Sequence, residues 1–177
     1  MSRINLDTQS VPAASQPLLD QIHSAFGATP NMFKAVSNSP AALQSMWAAF
    51  GALGKGSIGA LLGEQIAVAI ANRNRCEYCL ADHTMLGKNT GASATQMAEA
   101  QVGRSADGKT AAALDFALKV VEQRAQIGEA DVARLREAGF GDEQIVEIMA
   151  HVALNLFTNY VNVAFDIPVD FPKIALK

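Results

Sequence analysis

Hydrophobic residues recur at α-helical spacing along this chain, and no long stretch alternates apolar and polar residues with a period of two. Helix-breaking segments such as Gly54-Lys55-Gly56, residues 72–75 and Gly139 divide the apolar stretches. A length of 177 residues suits one domain with a sizeable core. The pattern therefore predicts an all-α fold of about seven to nine helices in a single domain over residues 1–177.

The helix boundaries follow from capping residues, glycines and prolines. The predicted helices span residues 16–26, 31–36, 41–53, 58–71, 76–88, 93–101, 107–126, 131–138 and 142–165. Residues 1–14 are predicted to form an extended N-terminal arm. Residues 167–177 are predicted to form an extended C-terminal tail, because Pro168 and Pro172 push the residues before them out of the α region.

Composition restricts the classes of partner and location. Half of the residues are hydrophobic, 18% are charged and the net charge is −3, which predicts extensive burial, part of it between subunits. The chain has no basic cluster, so we expect no nucleic acid partner. No apolar run reaches the roughly 18 residues of a membrane span. The N-terminal residues also lack the apolar core of a secretory signal, so the expected location is the cytoplasm.

The segment CEYCLADH, residues 76–83, contains both cysteines of the chain and one of its three histidines. In a reducing compartment, such a pair argues for redox or metal chemistry and against a structural disulfide. At 3.6 residues per turn, Cys76, Cys79 and His83 fall on one face of a helix. The spacing predicts two sulfurs close enough to bridge, with an imidazole one turn beyond Cys79.

This arrangement suits chemistry on a peroxide. A thiolate attacks the peroxide oxygen, the resulting sulfenic acid condenses with a second thiol, and a histidine moves the proton. Asn74 and Glu77 have the spacing of a capping box, which would put Cys76 in the first helical turn. The helix dipole then favours Cys76 as the more acidic thiol, whereas the spacing to His83 favours Cys79.

Glu64 is the candidate partner of the histidine. It is the one acid in the apolar stretch 58–71, where an unpaired carboxylate would be costly. A carboxylate behind His83 would orient and polarise its imidazole. A surface position on an amphipathic helix is the alternative for Glu64. Tyr78, beside Cys79, is interpreted mainly as a packing residue, with a relay role as the alternative.

Several readings of the motif stay open. The two cysteines could be inert buried residues, or they could form a zinc site together with His83 and Glu64. The final predicted helix carries a polar stripe that is either a solvated face or a buried seam along a pocket or a subunit contact. Its members are His151, Asn155, Asn159, Asn162 and Asp166.

Glu64, Cys76-Glu77-Tyr78-Cys79 and His83 together resemble the active-site signature of the AhpD-like alkylhydroperoxidases, a group of the carboxymuconolactone decarboxylase superfamily. Two flanking regions resemble the peroxidase-related branch of that superfamily. They are Thr29-Pro30-Asn31-Met32-Phe33 with Ser39-Pro40, and Asn159-Tyr160-Val161-Asn162 with Pro168-Val169-Asp170-Phe171-Pro172. The resemblance covers roughly residues 26–172.

The resemblance implies an AhpD-like helical domain that assembles as a homo-oligomer, a trimer or a hexamer. It implies that Cys79 is the peroxidatic thiol, Cys76 the resolving thiol, His83 the proton shuttle and Glu64 its relay partner. The family pattern has a histidine directly before the second cysteine, where this chain has Tyr78. A phenol with a pKa near 10 carries protons poorly at neutral pH.

The function predicted from the sequence is a thiol-dependent peroxidase of antioxidant defence, acting on hydrogen peroxide or organic hydroperoxides. An external dithiol or thiol protein would recycle it, and no metal, haem or flavin would be required. Two alternatives are a redox-responsive oligomeric binding or regulatory protein with little turnover, and a lactone decarboxylase. His151, Asn155 and Asn159 are additional candidates for lining the pocket or relaying protons.

Overall fold

The computed structural model describes residues 2–177, and over that range the chain forms nine α-helices, one short 3-10 helix and no β-strand. The 3-10 helix is Ala13–Ser15. The α-helices are α1 (Gln16–Phe26), α2 (Asn31–Val36), α3 (Pro40–Leu53), α4 (Ala60–Arg73), α5 (Glu77–Asn89), α6 (Ala94–Ala100), α7 (Gly108–Glu122), α8 (Glu129–Glu137) and α9 (Asp142–Ala164). The predicted all-α class is confirmed; Met1 lies outside the described residues.

Helix α4 is the centre of the fold. It packs against α5, α6, α7 and α9, and every residue from Gln65 to Ala71 is buried. Alanines and Gly63 between the larger side chains of α4 let the neighbouring helices approach closely. An acid on this helix is therefore surrounded by protein on several sides, which decides the environment of Glu64.

The polar stripe of α9 forms a buried seam over most of its length. Asn155, Asn159 and Asn162 are each at most 3% exposed, and His151 is half-buried. Asp166, beyond the end of α9, is exposed. The helical period shows which residues share a face, but the packing of α4 and α5 against that face is what buries them.

The predicted start of the motif helix is wrong. Asn74 is the C-cap of α4, Arg75 has a left-handed φ of 58°, and Cys76 is the N-cap of α5. The amide of Asn74 donates a hydrogen bond to Oδ1 of Asn159 (3.1 Å) and does not cap α5. The polar residues 72–75 thus end α4, and Asn74 in this turn connects the end of α4 to α9.

Residues 166–177 contain no helix and pack along the body of the protein. Asp170 accepts a hydrogen bond from the backbone N–H of Asn31, and the Gln101 amide donates to the carbonyl of Ala175. The rings of Tyr78 and Phe171 pack edge to face, with 5.4 Å between their centroids. Over residues 2–177, no helix combines the length and apolar character that crossing a bilayer requires.

Candidate functional site

Cys76 and Cys79 are joined by a disulfide, with their Cα atoms 5.4 Å apart. Both residues are buried, at 1% and 3% exposure. Because Cys76 is the N-cap of α5, its sulfur accepts a hydrogen bond from the backbone N–H of Cys79 (3.2 Å). The two sulfurs are therefore close enough to bridge, as the spacing predicted.

The imidazole of His83 and the carboxylate of Glu64 form a hydrogen-bonded pair, with 2.7 Å between Nδ1 and Oε2. Packing of α5 on α4 brings them together, and their side chains are 9% and 20% exposed. Burial by itself would lower the pKa of His83. The charge and the hydrogen bond of Glu64, with a smaller effect of Asp82, outweigh burial and raise that pKa to about 9. At neutral pH His83 is an imidazolium, able to stabilise an anion and to donate a proton.

Asp82 adds a second acid to this region, and sequence reasoning missed it. Burial, opposed by the charge of His83 and reinforced by those of Glu64 and Asp170, raises its pKa to about 6. Its Oδ1 atom is buried without a hydrogen-bond partner. The negative charge of Asp82 is one of the influences that hold His83 protonated.

Tyr78 is engaged by α2 and by the C-terminal tail. Its hydroxyl oxygen accepts a hydrogen bond from the backbone N–H of Met32 (3.2 Å). Burial raises the pKa of Tyr78 far above its ordinary value, and the nearby carboxylate of Asp170 adds to that effect. The phenol therefore stays neutral and connects three segments of the chain.

Asn162 lies in the last turn of α9 and donates a hydrogen bond from Nδ2 to the sulfur of Cys79 (3.2 Å). Its Oδ1 atom is buried without a partner. Its position on the polar stripe was visible in the sequence, but the stripe does not show which residue of another helix each amide meets. The contact with Cys79 depends on how α9 crosses α5.

A small cavity of about 100 Å³ borders the Glu64–His83 pair. His151 and Asn155 also line it, and both His151 Nε2 and Asn155 Oδ1 are buried without a hydrogen-bond partner. Burial lowers the pKa of His151, so its imidazole is neutral at pH 7. The remaining lining is mostly apolar, and it comprises Phe50, Leu53, Gly54, Ala60, Gly63, Ala67 and Leu154.

The position of His151 depends on Gly63, which precedes Glu64 on α4. A Cβ atom at residue 63 would lie 2.9 Å from Cε1 of His151, closer than side chains tolerate. The imidazole can rest against α4 because this residue is glycine. Nothing in the sequence of α4 alone marks Gly63 as a contact of a residue nearly ninety positions later.

A second cavity, of about 200 Å³, borders the other half of the motif. Cys76, Tyr78 and Asn162 line it, whereas Cys79 is not among its lining residues. The motif thus has the Glu64–His83 pair beside one cavity and Cys76 beside another. Over residues 2–177, no group of three or more His, Cys, Asp or Glu side chains is arranged to hold a metal ion.

The carboxymuconolactone decarboxylase family matches residues 40–123 of the chain. The structure is similar to a peroxidase-related protein from Silicibacter sp. TM1040, at 26% identity and a TM-score of 0.83 over 98% of this chain and 92% of that one. It is also similar to a peroxidase-related protein with an alkylhydroperoxidase AhpD core from Ralstonia eutropha JMP134. That match has 25% identity and a TM-score of 0.84, over 96% and 92% of the two chains.

The debrominase Bmp8, which was crystallised in complex with 2,3,4-tribromopyrrole, has the same fold at 20% identity and a TM-score of 0.79. That match covers 95% of this chain and 91% of the debrominase. A comparison with curated proteins found no match to this chain.

Proposed function

Because this chain is an AhpD-like member of the carboxymuconolactone decarboxylase superfamily, we propose that it is a thiol-dependent peroxidase acting through Cys76 and Cys79. The observation that supports this most is the CxxC disulfide one helical turn before the hydrogen-bonded His83–Glu64 pair. The proposed substrates are hydrogen peroxide and organic hydroperoxides. The proposed role is antioxidant defence.

In the oxidative half-reaction, the Cys79 thiolate attacks the terminal oxygen of the hydroperoxide and the O–O bond breaks. The His83 imidazolium gives its proton to the leaving oxygen, which departs as an alcohol or as water. The Cys76 thiol then attacks the sulfenic acid on Cys79. Water is released and the disulfide forms.

The choice of Cys79 as the attacking sulfur is supported by one contact and one spacing. The Asn162 amide donates to the sulfur of Cys79, and His83 is one turn beyond Cys79 on α5. An N–H donor stabilises a thiolate, and an imidazolium at that spacing would stabilise it further. The sulfur of Cys76 instead receives a backbone N–H at the start of α5, so the helix N-terminus supports the resolving thiol.

The reductive half-reaction returns two electrons and two protons from an external dithiol, whose own sulfurs become a disulfide. Each turnover then converts one hydroperoxide and one dithiol into an alcohol, water and an oxidised reductant. The scheme uses protein thiols, the peroxide and the dithiol.

The proposal is tested by the rate of peroxide consumption with a dithiol reductant. Cys79→Ser should reduce the rate to background, and Cys76→Ser should allow one oxidation without turnover. Glu143→Gln serves as a control, because Glu143 is an exposed acid on α9 outside both cavities. Equal rates for the parent and Cys79→Ser would reject Cys79 as the nucleophile.

A redox-responsive oligomer with little turnover is the second candidate, and the surface of α9 supports it. The exposed side chains of Phe157, Tyr160 and Val163 lie on the same helix whose Asn162 contacts Cys79. A homo-oligomer joined through this surface would sense the state of the sulfurs through α9. Sedimentation of the reduced and oxidised protein, beside the peroxidase assay, separates the candidates. A change of assembly with background turnover would favour the second.

Lactone decarboxylation is a further alternative within the superfamily. We do not expect that chemistry to need paired thiols, so the Cys76–Cys79 disulfide argues against it. Activity on a lactone substrate that survives Cys76→Ser and Cys79→Ser together would support it. Debromination of 2,3,4-tribromopyrrole, the ligand of the debrominase with this fold, can be assayed with the same variants.

A further inference from the structure

The cavity beside Cys76 is open to solvent, and it is lined by only one of the two disulfide-bonded residues. Its lining includes the exposed residues Arg75, Glu77 and Val163 and the buried residue Cys76. Cys79 is not among the lining residues. A nucleophile that enters this cavity therefore lies beside Cys76 rather than beside Cys79.

Asn162 also lines this cavity, and it contacts the sulfur of Cys79, the other half of the disulfide. Asn162 is 3% exposed, its Nδ2 donates to Cys79, and its Oδ1 is buried without a partner. Its place is fixed from two sides. The carbonyl of Asn162 accepts the backbone N–H of Ile167 (3.0 Å), and the Asn74–Asn159 bond one turn earlier ties the start of the motif to α9.

We propose that this cavity is the docking site of a small dithiol reductant and that Asn162 is a catalytic residue of disulfide reduction. The inference rests on the proposed function, since it assigns the reductive half of the same cycle. It identifies Cys76 as the sulfur that the reductant attacks and Cys79 as the leaving group.

The exchange proceeds in two steps. One thiolate of the reductant attacks Sγ of Cys76, a mixed disulfide forms, and the Cys76–Cys79 bond breaks with its electron pair moving to Cys79. The Asn162 N–H then donates to a thiolate, and a charge-assisted bond is stronger than a bond to a neutral sulfur. The second thiolate of the reductant attacks the reductant sulfur of the mixed disulfide. It releases Cys76, which takes up a proton that the dithiol has given up.

The size and walls of the cavity indicate the class of reductant. A volume of about 200 Å³ suits a small molecule, and Tyr78 and Ile167 form buried parts of the wall. A folded thiol protein could reach Cys76 only by inserting a narrow segment. We therefore expect dithiothreitol to reduce the oxidised protein faster than reduced thioredoxin does. The reverse order would contradict docking of a small molecule.

The attacked sulfur can be identified directly. The oxidised parent is mixed with an excess of 2-mercaptoethanol, quenched early with iodoacetamide and digested. Mass spectrometry should locate the mixed disulfide on Cys76 and the carbamidomethyl group on Cys79. A mixed disulfide mainly on Cys79 would overturn the inference.

The role of Asn162 is tested with Asn162→Asp, which keeps its shape, and Asn162→Leu, which removes its polarity. Loss of one charge-assisted hydrogen bond predicts an exchange rate with dithiothreitol that falls about ten- to one hundred-fold. In a Cys76→Ser background, ultraviolet thiolate absorbance should show a raised thiol pKa of Cys79 in both variants. Asn89→Asp is the matched control, because Asn89 is exposed at the far end of α5.

The outcomes distinguish the inference from the proposed function, since the exchange is measured without peroxide. Unchanged exchange rates and an unchanged Cys79 pKa in both folded Asn162 variants overturn the inference, even if the parent consumes peroxide. Slowed exchange in the variants, with no peroxide consumption by the parent, overturns the peroxidase and leaves a disulfide-exchange site.

Discussion

Nδ1 of His83 lies 2.7 Å from Oε2 of Glu64, so an imidazole on α5 and a carboxylate on α4 share a largely buried hydrogen bond. This pair changes the role expected of the histidine. A base must be neutral to accept a proton. Glu64 helps to raise the pKa of His83 to about 9, so His83 is protonated at neutral pH. In the proposed reaction, His83 would therefore act at neutral pH as a cation beside the Cys79 thiolate and as the proton donor to the leaving oxygen.

Glu64→Gln is expected to lower the pKa of His83, because the amide keeps the hydrogen bond but removes the negative charge. The rate of Cys79 oxidation should fall at least about ten-fold at pH 8 and should decline with pH from a lower value than in the parent. Stopped-flow oxidation of the reduced protein across pH measures both effects. Glu143→Gln should match the parent, and an unchanged pH profile in Glu64→Gln would contradict the assigned pairing.

The pH dependence of stability provides a test that needs no substrate. A folded pKa of His83 near 9, above the ordinary 6.5, stabilises the fold fully below pH 6.5, and the stabilisation is lost as pH rises through about 9. The difference corresponds to about 3 kcal/mol. Urea unfolding of the parent should show this loss, and His83→Gln should lack most of it. Identical pH dependence in both proteins would argue against an ionised pair.

Asp82→Asn is expected to stabilise the protein at pH 7.5. Burial raises the pKa of Asp82 from 3.8 to about 6. The neutral carboxyl therefore stabilises the folded protein at low pH relative to the ionised one, and this stabilisation is lost as pH rises through about 6. An uncharged amide avoids this cost, and we expect a gain of about 2 kcal/mol in the free energy of unfolding. Asp115→Asn, at an exposed acid on α7, should change stability little. A destabilised Asp82→Asn would show that the buried carboxylate has a favourable partner.

Gly63→Ala tests the contact that seats His151 against α4. The added Cβ meets the imidazole at 2.9 Å, and displacing the ring should cost about 1–3 kcal/mol of stability. Gly51→Ala is the matched control, since nothing lies within 4 Å of its Cβ on α3, and it should stabilise by about 0.5–1 kcal/mol. Thermal unfolding compares the two. Equal stabilisation by both substitutions would mean that His151 moves away at no cost.

Tyr78→Phe separates packing from proton transfer. The ring contact with Phe171 remains, but the acceptor for the N–H of Met32 is lost, which should cost about 1 kcal/mol. We expect the rate of Cys79 oxidation to change less than two-fold, because the hydroxyl is engaged by α2 and the tail. A large loss of rate without loss of stability would assign Tyr78 to the relay instead.

The sequence was sufficient to predict the features that depend on local spacing. His83 lies one turn beyond Cys79 on α5 because of helical periodicity, and Cys76, the N-cap of that helix, is near enough in sequence to bridge to Cys79. Glu64 was recognisable as an acid in an apolar stretch. Features that depend on how helices cross were not predictable in this way. The Asn162–Cys79 contact, the space that Gly63 leaves for His151 and the buried Asp82 all require the arrangement of α4, α5 and α9.

The start of α5 illustrates a different limit. Asn74 and Glu77 satisfy a capping pattern, but the polar run 72–75 serves equally well as the end of α4. In the structure these residues end α4: Asn74 is hydrogen-bonded to Asn159, and Cys76 is the N-cap of α5. Local capping preferences are worth about 1 kcal/mol, so a tertiary hydrogen bond between helices can decide between two such uses.

The central claim, that Cys76 and Cys79 form a redox pair driven by peroxide, is tested most directly by mass spectrometry. Fully reduced protein is treated with one equivalent of hydrogen peroxide and digested. The account predicts loss of two hydrogens in one peptide that contains both cysteines, and a sulfenic acid on Cys79 in the Cys76→Ser variant. Two thiols that remain unmodified in the parent would contradict it.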